Sequence, residues 1–217
     1  MDKQKLFQDH QEKEKRVIEF FNQAIEEVKM AFFAPKAPEI VGIRLQMISA
    51  FTLAEVLSNF WDSYTNQSRK PDARLTDWLN TFCMTDKNKM FKSSLYFSKL
   101  GTEPLINLRH SLIHFFGLSP QKLNKQIALG SSHMDERTFQ QFSEGFISNV
   151  AVFKPIDFYN LFKDGGLLML NIMLDNVHES QVDASKKWQH IEGINRIFQK
   201  FQIEGAIQIL IPKSNQK

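Results

Sequence analysis

The chain carries one cysteine, Cys83, in 217 residues. That excludes an internal disulfide and any zinc site built from several cysteines. Cys83 itself is expected to be a small buried hydrophobe in a reducing compartment. No run approaches the roughly 18 apolar residues of a membrane span. The opening Met1-Asp2-Lys3-Gln4-Lys5 leads into charged sequence without an apolar signal region, so a cytoplasmic protein with no membrane association is expected. Glycine is sparse, at nine residues. No glycine-rich phosphate loop, GxSxG elbow or HExxH pair occurs. A large charge excess is missing too: 27 Lys and Arg against 24 Asp and Glu leave a net charge of +3. Such a balance permits an RNA or phosphate ligand without arguing for one, because a strong footprint needs clustered Lys and Arg.

Present in quantity is phenylalanine, at 20 residues, which predicts an aromatic-rich core. The length suits a single domain over 1–217. Val17, Phe20, Phe21, Ala24, Ile25, Val28 and Phe32 recur at helical spacing and predict a long helix over about 4–33. Ala34-Pro35-Lys36-Ala37-Pro38 ends it. A second long helix follows over about 39–66, on Ile40, Ile43, Met47, Ile48, Phe51, Ala54, Leu57 and Trp61. Two long helices joined by a short break predict an antiparallel pair. Beyond a polar loop, Asp72 is placed to cap a shorter helix running through Trp78, Leu79 and Phe82. A further helix is expected over about 86–99, and another from Thr102 or Glu103, past Pro104, to a stop at Gly117.

After Pro120 the pattern changes. Gln126–Leu129 and Phe146–Phe153 read as short strands of a small hairpin, and Ala206–Pro212 as a last strand. Helices are expected over 155–178 and 185–201, the first weakened by Gly165-Gly166, which reads as a turn or a kink. The fold class is mainly α, with a small β element in the C-terminal half.

The helix containing Leu105-Ile106-Asn107-Leu108-Arg109-His110-Ser111-Leu112-Ile113-His114 holds the most informative residues. At about 100° per residue, Leu105, Leu108, Leu112 and Phe116 form one stripe, and Arg109 falls inside its edge. A guanidinium keeps its charge, so burying it is costly unless an anion meets it. Asn107, His110 and His114 share the neighbouring polar face. Arg109 and His114 lie about 7.5 Å apart along the axis, so their side chains can converge on one phosphate. Arginine supplies positive charge for a phosphorane, and histidine a group that moves protons near neutral pH. The plain alternative is an arginine capped by a core carboxylate with a histidine at a polar rim. His110 and His114, at i and i+4, have zinc-ligand spacing but no third ligand nearby. His10, His133, His178 and His190 look scattered over surface and loops. Glu55 interrupts the apolar Phe51–Leu57 segment, where it either holds Arg109, raises a histidine pKa or faces solvent. Asp62 reads as a solvated helix residue.

Arg109-His110-Ser111-Leu112-Ile113-His114 resembles the R-x4-H motif of the HEPN superfamily, the "higher eukaryote and prokaryote nucleotide-binding" helical domains. The long helical pair before it resembles the first two helices of that fold. The resemblance covers about residues 10–120, leaving about 121–217 as a helical and β elaboration. It implies a HEPN-like helical bundle and a metal-independent endoribonuclease, with no cofactor. It also implies a homodimer whose two R-x4-H helices face one another across an RNA cleft. Arg109 would stabilise the phosphate transition state, and His114 would act as general base or acid as the 2′-OH attacks. His110 would orient the phosphate or assist proton transfer, with Glu55, Asn107 and Ser111 in support. Toxin–antitoxin and phage-defence settings, with an antitoxin or regulatory partner, come with the family. So does the alternative of a non-catalytic module binding RNA, a nucleotide or a protein. Some toxin members carry a modified tyrosine two residues after the motif histidine; Phe116 stands there, so that mode of control is not expected. A further alternative is a structural dimer joined through Phe20, Phe21, Phe32, Phe51 and Phe60.

Overall fold

A computed structural model describes residues 3–33, 39–84, 101–114, 126–129, 150–178 and 184–203. The described residues are mainly helical: α1 (Lys3–Phe33), α2 (Glu39–Tyr64), α3 (Pro71–Trp78), α4 (Thr102–His114), α5 (Pro155–His178) and α6 (Ala184–Lys200). No helix among them is long and apolar enough to cross a membrane. The expected helix at 86–99, the Gly117 stop and the strand at 206–212 lie outside the described residues.

Helix α1 is amphipathic in the ordinary way. Val17, Phe21, Ile25 and Phe32 are buried, while Asp9–Lys13, Glu12–Arg16 and Glu26–Lys29 pair along its solvent side. Helix α2 is different: Met47, Ala50, Phe51, Leu53, Ala54, Leu57 and Phe60 are all buried, on more than one face. It is the central helix, packed by α1, α3, α4, α5 and α6. Gln46 Nε2 donates to Phe32 O, and Phe21 meets Phe60, so α1 and α2 run antiparallel.

The phenylalanines stay inside this arrangement. Phe21, Phe32, Phe51 and Phe60 are buried in the core, and Phe20 packs on Phe60 and Phe201. These rings are consumed in holding the subunit together, which corrects the expectation of a Phe-rich dimer face.

Four other expectations are corrected. Asp72 is not the cap of α3; Lys70 occupies that position without a side-chain hydrogen bond, and Pro71 takes the first turn, leaving Asp72 free to point elsewhere. The helical path continues past Trp78 as a wider π turn, Leu79–Cys83, closed by Met84 N donating to Leu79 O. Asp62 is buried rather than solvated. It accepts from the Arg69 backbone N–H at 3.1 Å and from Arg69 Nη1 at 3.0 Å, stapling the loop after α2. Gly165 and Gly166 do not form a turn but lie inside α5. A Cβ on Gly165 would fall 2.5 Å from Cys83 Sγ, and one on Gly166 2.7 Å from Leu57 Cδ1. These glycines are there for close approach of helices. The fourth correction concerns the hairpin. Gln126–Leu129 (β1) and Val150–Phe153 (β2) pair in parallel, in register from Gln126–Val150 to Leu129–Phe153. Parallel neighbours require a crossover instead of a tight turn.

Helix α5 begins with Pro155 in its first turn and Asp157 Oδ2 accepting from Lys154 N at 2.9 Å, one half of a capping box. Helix α6 closes the bundle. Arg196 donates through Nε to Ser63 O at 2.9 Å and through Nη2 to Tyr64 O at 2.7 Å. It thereby satisfies carbonyls left open at the end of α2.

Candidate functional site

Helix α4 buries Leu105, Leu108 and Leu112 against the bundle. One residue after Leu108, the Arg109 side chain leaves the edge of that stripe and is only 11% exposed. Its Nε donates to Glu55 Oε1 on α2. Its Nη1 donates to Asp72 Oδ1 on α3 at 2.9 Å. The other oxygen of Asp72, Oδ2, lies 3.0 Å from His110 Nε2. Three helices therefore meet in one network, in which Asp72 spans the arginine and the histidine. The network opens outward: Glu55 is 32% exposed, His110 37% and Asp72 51%.

This geometry answers the question posed by a near-buried guanidinium. Its anions come from within the chain, and there are two of them. One guanidinium faces two carboxylates. The first turn of α3 also suits Asp72, because the helix N-terminus favours a carboxylate.

Of the residues expected in a site, the structure brings Arg109, His110 and Glu55 together. Asn107 is half-buried on the same helix. His114 ends α4; its side chain and that of Ser111 lie outside the described residues. Asp72 was missed as a member of the network. Its place next to Pro71 reads equally well as helix start, and no local pattern points it toward a helix thirty residues later.

A second constellation lies on α1 and α6. His10 and Glu14 stand one turn apart on α1, with His10 Nε2 3.4 Å from Glu14 Oε2. His190 on α6 places its Nε2 3.0 Å from the same oxygen. Its Nδ1 lies 3.0 Å from the Tyr64 hydroxyl at the end of α2. His190 is fully buried and His10 nearly so, which corrects their placing on surface and loops. The hydrogen bonds from His10 and then His190 pull the Glu14 carboxyl from its ordinary 4.5 down to about 2, against the opposing effect of burial. His10 Nδ1 is buried with no hydrogen-bond partner among the described residues. The i, i+4 spacing of His10 and Glu14 was visible in the sequence; the third member, 176 residues from Glu14, was not.

Beside this cluster, a cleft of about 520 Å³ runs between the end of α2 and α6, lined by Tyr64, Thr65, Asn66, Lys186, Gln189, Glu192 and Arg196. No protein-family model, curated protein or solved structure matches the chain.

Proposed function

We propose that the chain is a HEPN-type, metal-independent endoribonuclease whose site is centred on Arg109 and His114. The observation that carries this reading is the network on α4. Arg109 is fixed at the helix edge by carboxylates from two other helices, and His110 shares one of them at a partly exposed surface. A positioned guanidinium beside a histidine held by a carboxylate supplies the charge and the phosphate orientation that attack on a phosphodiester needs, with His114 one turn further along the same helix as the proposed base. In the proposed reaction His114 takes the proton of an RNA 2′-OH. The 2′ oxygen attacks the adjacent phosphorus, and the 5′ oxygen of the next nucleotide leaves, protonated by water. The product is a 2′,3′-cyclic phosphate. Arg109 stabilises the phosphorane, and His110 orients the phosphate or assists the proton transfer. Asn107 and Ser111 support from the same helix. Glu55 and Asp72 take up two of the five guanidinium N–H donors, and a phosphate would approach from the side of Asp72, the more exposed of the two partners. A second copy of the chain would complete the cleft, in a cytoplasmic toxin or defence setting with an antitoxin or regulatory partner.

The experiment is cleavage of RNA by purified wild-type, Arg109→Ala and His114→Ala proteins in EDTA. Loss of cleavage in both variants, with cyclic phosphate ends from the wild type, supports the assignment. Equal cleavage by all three overturns it.

A second reading, a non-catalytic module binding RNA, a nucleotide or a protein, is favoured by the double pairing of Arg109. A guanidinium already neutralised by two carboxylates has its charge spent on structure. Equal growth of cells expressing wild-type and His114→Ala protein, together with no cleavage by the wild type, selects this reading.

A further inference from the structure

We propose that His10, Glu14 and His190 form a zinc site that clamps α1 to α6. The site is separate from the Arg109 network and does not rest on the ribonuclease reading.

Its first support is geometric. Zinc binds imidazole nitrogen and carboxylate oxygen at about 2.0–2.1 Å in tetrahedral geometry, which sets ligand atoms about 3.3 Å apart. Here Glu14 Oε2 lies 3.4 Å from His10 Nε2 and 3.0 Å from His190 Nε2. All the ligand atoms fall within 4.8 Å of one another. Two of the three edges are close to the length a tetrahedron demands, and the third is no longer than 4.8 Å.

The second support is burial. A carboxylate and an imidazole suffice for an ion pair between helices, yet two imidazoles converge on one oxygen here. His190 is fully buried and His10 is 7% exposed. His10 turns its Nε2 toward Glu14, while its Nδ1 lies in the interior with no partner among the described residues and takes no part in the site.

The third support is the surrounding shell. A metal-bound histidine characteristically gives its other nitrogen to a hydrogen-bond partner that fixes the ring. His190 has that partner in the Tyr64 hydroxyl at 3.0 Å. The platform is stiff as well: His10 and Glu14 project from consecutive turns of one helix, with His190 facing them from another. Two nitrogens and one oxygen suit zinc, whereas calcium and magnesium prefer all-oxygen sets. The fourth position falls to water or a small ligand.

The test uses the full chain, stripped of metal with a chelator. Titration with Zn2+ against a chromophoric chelator should show one equivalent bound with sub-micromolar affinity. The thermal midpoint should rise on addition of Zn2+. Co2+ in place of Zn2+ should give the intense visible bands of a four-coordinate nitrogen and oxygen site. His10→Gln and His190→Gln should each weaken binding at least about 100-fold, and Tyr64→Phe about 10-fold through the lost outer contact. His10→Gln is near the start of α1, so it keeps the bundle intact if His190→Gln does not; circular dichroism checks this. Absence of the Co2+ bands in the wild type overturns the proposal even if both variants unfold. So does Zn2+ affinity unchanged in a folded His10→Gln protein.

Discussion

Glu55 on α2 and Arg109 on α4, 54 residues apart, form a direct side-chain tie between those helices. The tie lies at the edge of the leucine stripe, where the guanidinium has lost most of its water.

Removing the acid leaves the base with one partner, the more exposed Asp72. Glu55→Ala should therefore destabilise the protein by about 1–3 kcal/mol, the range for a charged group that loses a partly buried hydrogen bond. The site is not fully shielded, since Glu55 is about a third exposed, so the lower half of that range is expected. Urea unfolding followed by circular dichroism measures it. A midpoint unchanged from the wild type would show that Asp72 alone suffices.

Asp72→Asn has the opposite character. It removes one of the two negative charges facing Arg109 while keeping the side-chain shape. RNA affinity should rise about 5-fold, equivalent to about 1 kcal/mol for a screened pair. Fluorescence anisotropy with a labelled single-stranded RNA reads this directly. Weaker binding by the variant would mean that Asp72 positions the site more than it blocks it.

Three helical glycines should respond unequally to alanine, although alanine is normally the better helix former by about 1 kcal/mol. At Gly193 the new Cβ would sit 2.5 Å from Tyr64 Cδ2 and 3.1 Å from Tyr64 O. A ring bonded to His190 and a backbone carbonyl cannot both retreat, so Gly193→Ala should cost about 2–3 kcal/mol. At Gly166 the nearest atom is a methyl end of Leu57, which can rotate, and the cost should be under about 1 kcal/mol. Gly165→Ala, against Cys83 Sγ, should fall between. Thermal melts of the three variants give the order.

Cys83 should be chemically silent in the folded protein. It is fully buried, Sγ faces Leu161 O at 3.7 Å, and burial, aided by Asp164, holds the thiol well above its ordinary 9.0. A disulfide reagent should label it only in denaturant. The same shift makes stability pH-dependent. Above 9.0 the unfolded chain releases this proton and the folded chain does not, so the contribution is intact below 9.0 and declines as pH rises beyond it. The slope tends to about 1.4 kcal/mol per pH unit. Urea midpoints between pH 9 and 10, below the range where Tyr159 adds its own raised ionisation, should lose this slope in Cys83→Ala.

Much of the helical layout is legible in the residues because amphipathic periodicity is a local property. The spans 4–33, 39–66, 155–178 and 185–201 are expected from spacing alone, and the helices found differ by at most a few residues at their ends. What periodicity does not carry is which polar residue meets which. Asp62 and Asp72 look alike as surface acids, yet one staples Arg69 in the interior and the other spans Arg109 and His110. His10 and His190 look incidental because their meeting depends on α6 returning to α1. Gly165-Gly166 reads as a break, since the sequence gives the helix penalty of glycine and hides the neighbours that make a bare backbone useful. In the candidate site, Glu55 stood out because it interrupts an apolar segment, a local signal, whereas Asp72 offered none.

The central place of α2 has a consequence for how the chain is made. It is synthesised early but covered late: Phe51 packs on Phe158 and Phe162 of α5, and the last carbonyls of α2 wait for Arg196 of α6. Among the described elements made before residue 150, α1, α3 and α4 pack on α2, and the faces that α5 and α6 will cover wait for the rest of the chain. The nascent chain therefore passes through a long interval as a half-clothed bundle, open to chaperones and to its own neighbours. Synthesis of α5 and α6, in the last third of the chain, ends that interval.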